Sequence, residues 1–225
     1  QHILLKWTRE DEHCWEPYGS ASINKLTSTL NDKGRILYWS HEVYSDTYMT
    51  RPSEKELYNF LSYKLINNDF KKRKSKPKTA AHMGIHRNLD PLYNFKEKRL
   101  VKNLVHGLPL RTSALRTLGA FSNVTALESF LNELALVTNI DPFDFRINHL
   151  TDKRGIDVLL DLKSQMSKDK QKSNHHRGIG FSRYKNLAAY CAVGIELQVT
   201  DDVDIKLIKA WISIDAGEIA YKEGI

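Results

Sequence analysis

The residues best placed to do chemistry form one run, Leu115-Arg116-Thr117-Leu118-Gly119-Ala120-Phe121-Ser122-Asn123, which leads straight into an amphipathic segment. A turn containing Gly at a helix start exposes backbone N–H groups, and the helix dipole adds partial positive charge there. Arg116 adds a full positive charge. Such a constellation suits an anionic or electron-rich cofactor, with Arg116 facing the same space as the N–H groups of 117–119. The same residues also read as an ordinary loop with a salt-bridged Arg, and the residues alone leave both readings open. Elsewhere the chain is sparse in catalytic pattern. It has no P-loop, no dinucleotide glycine fingerprint, no nucleophile elbow and no zinc spacing. Cys14 and Cys191 lie far apart and form neither a metal-ligand pair nor a disulfide framework. His175-His176 lacks the i, i+4 placement of a zinc pair, so no metal site is expected on the protein itself.

The elements that must position this run are readable from periodicity. Residues 21–45 predict a β-hairpin, with Asn31-Asp32-Lys33-Gly34 as its turn. Residues 54–66 predict a short helix, and the basic stretch 67–90 a long surface loop, flexible and dispensable over 67–80. The clearest helix is 123–138: Leu127, Leu131, Leu134 and Ala135 share one face, and Ser122 or Asn123 is placed to cap it. Asp141-Pro142 opens another helix, with Asp as cap and Pro in the first turn. A third covers 153–163. Two long β-runs, 189–199 and 204–214, close the chain around the turn Asp201-Asp202, and Ile3 to Trp7 reads as a strand at its start. The fold class is α+β, with antiparallel hairpins and helices in separate blocks.

Composition sets limits. The 225 residues carry 41% hydrophobic and 27% charged residues, ordinary for a globular protein with a sizeable core. No stretch approaches the roughly 20 apolar residues of a membrane span. The net charge of +7 is concentrated in Lys71–Lys78 and Lys163–Arg177. Both stretches are poor in apolar residues and read as solvated loops; neither carries a nucleic-acid recognition motif or stacking platform.

Several segments, in order and spanning nearly the whole chain, resemble one family. They are Trp7 to Glu12 with Trp15 to Gly19; Pro109 to Asn123; Glu128-Ser129-Phe130 with Asn132 to Ala135; Asp141 to Arg146 with Asn148-His149-Leu150; Gly178 to Phe181; Arg183-Tyr184-Lys185; Ala189 to Val193; and Asp215-Ala216-Gly217. They look like the molybdopterin-binding large subunit of the xanthine dehydrogenase/aldehyde oxidase family, in its isoquinoline 1-oxidoreductase (beta subunit) and nicotinate dehydrogenase branch. The resemblance implies a molybdenum hydroxylase that oxidises N-heteroaromatic compounds or aldehydes, with water as oxygen source. It implies molybdopterin, as its cytosine dinucleotide, with molybdenum held by the pterin. It implies a 2Fe-2S cluster on an iron–sulfur small subunit as partner, since this chain has no cluster motif. An Arg-x-Phe-Gly motif approaches the cofactor in that family. The matching positions are Arg116, Thr117, Leu118 and Gly119, with Leu118 in place of the ring that sandwiches substrate. Arg87 falls near the stretch where related enzymes carry a substrate-orienting Arg.

The resemblance also organises the chain: 1–162 as part of a first molybdopterin-binding domain, 163–177 as a basic linker, and 178–225 as the start of a second. The family's catalytic Glu and Gly-rich cofactor loop have no match here. The chain therefore reads as an internal fragment with no catalytic residue of its own, inactive when isolated and prone to self-associate through apolar faces such as 189–214. A cofactor-free remnant or interaction module is the alternative. Substrate, electron acceptor and compartment are not readable.

Overall fold

A computed structural model describes residues 2–48, 61–66, 75–110, 112–200 and 204–224. The hairpin is built as its turn chemistry predicts. Strand β1 (Ser22–Leu30) pairs antiparallel with β2 (Ile36–Ser45), with Leu26 opposite His41 and Ser28 opposite Trp39. Gly34 closes the turn at φ +72, where an L side chain is strained, and a Cβ there would lie 2.6 Å from Ile140. A third strand, β3 (Glu97–Leu104), pairs parallel with β2, so the first sheet is mixed, in the order β1-β2-β3. Its sequence, Glu-Lys-Arg-Leu-Val-Lys-Asn-Leu, looks like surface; Leu100 and Leu104 pack inward, Glu97, Lys98 and Arg99 are exposed, and Lys102 is half-buried against Lys78 and His86.

The expected strand at Ile3–Trp7 is absent. Those residues are exposed and lead into helix α1 (Arg9–Trp15). Thr8 caps that helix through a capping box with Asp11, so the local hydrogen bonds favour a helix start over a strand without a partner. The predicted helix at 54–66 falls partly outside the described residues; within them, α2 covers Leu61–Ile66. Of the stretch 67–90 predicted as surface, residues 67–74 lie outside the described set, but 84–89 are not surface. Gly84–His86 form a 3-10 turn, and Ile85 and Leu89 are buried.

Helix α3 (Ala120–Val137) carries the predicted stripe, and Leu127, Leu131, Leu134 and Ala135 are all buried. Helix α4 (Pro142–Ile147) starts as its sequence dictates. The Asp141 carboxylate accepts the N–H groups of Phe143 and Asp144 at 3.0 and 3.2 Å. Asp141→Ala is expected to cost about 1 kcal/mol by chemical denaturation.

Helix α5 (Lys153–Ser167) runs past the expected boundary at 162. The second sheet is antiparallel throughout, in the order β4 (His175–Arg183), β5 (Tyr190–Val199), β6 (Ile205–Asp215). The stretch 163–177 is therefore in part structured: 163–167 continue α5 and 175–177 open β4, with a mostly exposed connection over 168–174. Met166 is buried, and Lys163 pairs with Asp141 and Asp144. Arg177 bonds Glu196 at 2.6 Å and the carbonyls of Met166 and Asp169, pinning the end of α5 to the sheet. One core runs across both sheets, from Trp39 and Phe95 through Leu131, Phe145 and Leu159 to Phe181, Tyr190 and Trp211. A second, small core gathers Val43, Tyr48, Ile85, Leu89 and Leu118 beneath the start of α3.

Candidate functional site

The Arg116 turn owes its shape to its underside. Leu118 N–H reaches the Leu115 carbonyl at 3.2 Å, and Ala120 N–H reaches Thr117 at 3.1 Å. Thr117 and Leu118 sit at φ +77 and +54, consecutive left-handed positions with side chains. Each such residue costs on the order of 1–3 kcal/mol and persists only where its surroundings enforce it. Two neighbours do so here. Gly119 N–H donates to the Gly84 carbonyl at 3.2 Å. A Cβ on Gly119 would lie 2.5 Å from the Ile85 carbonyl oxygen, so only Gly lets the two backbones approach.

Gly119 is also the N-cap of α3, with no side-chain cap bond. The expectation that Ser122 or Asn123 caps this helix is corrected: the helix begins three residues earlier than predicted, so both lie inside its first turn. Each bonds elsewhere. Ser122 Oγ lies 2.6 Å from Ser22 Oγ and accepts from Asn24 Nδ2 at 2.5 Å. Asn123 Nδ2 donates to the carbonyls of Ile85 and Arg87 at 2.8 and 2.9 Å.

Over the turn lies a groove of about 630 Å³, walled by residues 19–22 and Asn24 ahead of and within β1, by Tyr48, by 115–118 and by the first turns of α3 as far as Ser129. Among the described residues, none that lines it is acidic; its polar groups are the Arg116 guanidinium, the Asn24 amide and the hydroxyls of Ser22, Thr125 and their neighbours. Behind the wall, His41 is fully buried and shares a 2.8 Å hydrogen bond with Asn24. Burial pulls its pKa down to about 4, so the imidazole is neutral near pH 7.

The predicted site residues divide between this groove and other surroundings. Arg116, exposed, lines the groove with Thr117 and Leu118. Leu118 is 8% exposed and contributes mainly to the small core. Gly119 lies beneath the turn, against residues 84–85. Of the three N–H groups expected to face a ligand, those of Leu118 and Gly119 bond the protein's own carbonyls. Arg87 is not among the lining residues. Its Nε donates to the His82 carbonyl at 2.9 Å, and its guanidinium lies 5.9 Å from the Tyr184 ring centroid.

Left-handed residues also gather around this end of α3: His82, Gly84 and Asn88 in one loop, Thr117 and Leu118 in the next, Lys185 and Asn186 in a third. The loops are tied together. Asn88 Nδ2 donates to the Arg183 carbonyl at 2.9 Å and to Asn186 Oδ1 at 3.0 Å, and Asn186 donates back to Asp90 at 2.7 Å. Backbone strain concentrates at functional sites more than elsewhere. Sequence reading missed Asn88 and Asn123; their one signal was residue type, since Asn tolerates positive φ and bonds backbone readily.

Among the described residues, no group of three or more His, Cys, Asp or Glu is placed to hold a metal ion, and no helix is long and apolar enough to cross a membrane. No family model matches the chain. It is 28% identical over 157 residues to one of the subunits of the nicotinate dehydrogenase of Pseudomonas putida, a match covering 70% of this chain and 12% of that protein. Among solved structures it is similar to the aldehyde oxidoreductase of Desulfovibrio gigas (TM-score 0.47, 14% identity, 84% of this chain and 21% of that one). It is also similar to the aldehyde oxidoreductase of Desulfovibrio desulfuricans (TM-score 0.43, 12% identity, 84% of this chain and 21% of that one). The chain thus spans a small part of the length of each protein it matches.

Proposed function

We propose that this chain, similar to a nicotinate dehydrogenase subunit, belongs to the molybdopterin-binding xanthine dehydrogenase/aldehyde oxidase family and forms the part of a molybdenum hydroxylase that bounds the cofactor pocket. The carrying observation is that the family-matched Arg116 projects from a strained turn onto a groove with no acidic lining residue among the described residues. A cation and hydroxyl donors without a competing carboxylate suit a phosphate-bearing, electron-rich pterin. On this reading Arg116 holds the cofactor's anionic part, Thr117 lines its approach and Gly119 lets the turn seat. Leu118, largely buried, offers substrate an aliphatic edge in place of a stacking ring. The Arg87 position does not favour the substrate-orienting role.

When bound, molybdopterin, as the cytosine dinucleotide, supplies two-electron oxidation of an N-heteroaromatic compound or an aldehyde, with oxygen from water. Electrons leave through a 2Fe-2S partner protein, the small subunit of the complex. The two sheets belong to two molybdopterin-binding domains of the complete large subunit, and the chain by itself is inactive. The alternative of an interaction module draws on one observation: Ile208, Ile212 and Ile214 of β6 are exposed.

Arg116→Ala in the full-length protein tests the reading. The side chain is exposed, so stability should change by no more than about 0.5 kcal/mol. Bound pterin should fall several-fold, as should turnover at saturating substrate. Unchanged pterin content would reject the role.

A further inference from the structure

We infer that Asn123 is a positioning residue for the Arg116 turn, locking residues 84–88 and 116–119 into one rigid unit; the functional meaning of that unit rests on the cofactor reading above. Asn123 is 0% exposed, and its amide nitrogen is shared between the carbonyls of Ile85 and Arg87. Its neighbour in the same helical turn, Ser122, holds the opposite wall of the groove through Ser22 and Asn24. The first turn of α3 thus grips β1 with one side chain and the 84–88 loop with the next.

Two strained pieces meet at this grip. The 84–88 loop contains left-handed Gly84 and Asn88; the Arg116 turn contains left-handed Thr117 and Leu118. They touch through the Gly119 N–H to Gly84 carbonyl bond, which has no room for a Cβ beside it, and they share the small core that holds Leu118, Ile85 and Leu89. Neither left-handed Thr117 nor Leu118 holds itself, because L residues with β-carbons relax out of that region when unsupported. The support is the 84–88 backbone, and Asn123 fixes that backbone from the helix. The Asn123 Oδ1 atom is buried without a partner, so the side chain is retained for its two donated bonds at the cost of an unmatched acceptor. Asn88 extends the unit to the Arg183 carbonyl at the end of β4, bringing the second sheet into register with the same turn. Arg87, set aside as a substrate contact, gains a different part: its carbonyl is one of the two anchors.

Asn123→Asp in the full-length protein tests this, since the carboxylate keeps the shape and cannot donate. Hydrogen exchange read by mass spectrometry should accelerate about tenfold or more, together, at residues 85–89 and 117–120, with β5 unchanged. Leu162→Ala, in the core of α5, should lower the melting temperature at least as far without that paired local signature. Acceleration at 85–89 alone would overturn the positioning role, because the turn would then stand without Asn123. Should Asn123→Asp fail to fold, Asn123→Ala, uncharged and without a side-chain donor, gives the same reading. Pterin content of the same variant separates the two claims. Paired acceleration with full pterin content supports the rigid unit and overturns the cofactor role of the turn; paired acceleration with several-fold lower pterin supports both.

Discussion

Glu128→Ala is expected to remove about 3–5 kcal/mol of stability, the scale for stripping one partner from a buried ion pair. Glu128 is 5% and Arg146 0% exposed. The carboxylate accepts from Arg146 Nε at 2.9 Å, from the Phe181 N–H at 2.8 Å and from the Tyr93 hydroxyl at 2.8 Å. Arg146 completes its bonding on the carbonyls of Glu128 and Pro142, both at 3.0 Å. One carboxylate thereby joins α3, α4, the 93 loop and the edge of β4. Burial and the Glu128 charge push the Tyr93 phenol well above its usual pKa, which keeps it a donor. Alanine would leave a buried guanidinium without counter-charge, and would leave a backbone N–H and a phenol without an acceptor. Urea denaturation of wild type and variant reads the loss; a difference under about 1 kcal/mol would contradict the account. Glu128→Gln retains acceptors and should lose less.

Stability should also fall as pH drops from 6.5 toward 4.5, before most carboxylates titrate. His41 is neutral in the folded state, its pKa lowered from 6.5 to about 4 by burial. His149 is lowered as well, first by burial. Its Nε2 accepts the Ile36 N–H at 2.9 Å, so the proton must sit on Nδ1, facing the Phe145 carbonyl at 2.7 Å. Below pH 6.5 the unfolded chain takes up these protons and the folded chain does not. Stability is therefore fully present above the unfolded pKa and declines as pH falls toward the folded one. For His41 a shift of that size is worth about 3 kcal/mol in full, approached as pH nears 4. Denaturation midpoints at pH 7.5, 6 and 5 measure the slope, and His41→Gln should flatten it. A midpoint unchanged between pH 7.5 and 5 would show that neither ring is held neutral.

What could be read from sequence was what local chemistry decides. The Asn31–Gly34 turn, the stripe of α3, the Asp141-Pro142 start, the alternation of β5 and the β-rich run of β6 each carry their own reason to form, and each is present. What could not be read depends on partners far along the chain. Strand β3 exists because β2 offers a parallel edge, and nothing in Glu97–Leu104 announces that. Residues 163–177 look solvated by composition, yet Arg177 finds Glu196 directly across from it on β5, a partner that only the strand register supplies. Of the site, the run from Arg116 to Gly119 was legible as a turn before a helix. Its left-handed Thr117 and Leu118 were not, because their conformation is imposed by residues 84–85. Glu128 and Arg146 stood inside family-like segments, but their pairing at the centre of the core is a fact of packing.

The most direct test of the central claim is metal and pterin analysis of the purified full-length protein with its small-subunit partner. The account predicts molybdenum and pterin in near-equal amounts, about one of each per copy of the full-length chain. Folded, soluble full-length protein that carries neither when produced in a host able to make the cofactor would contradict it.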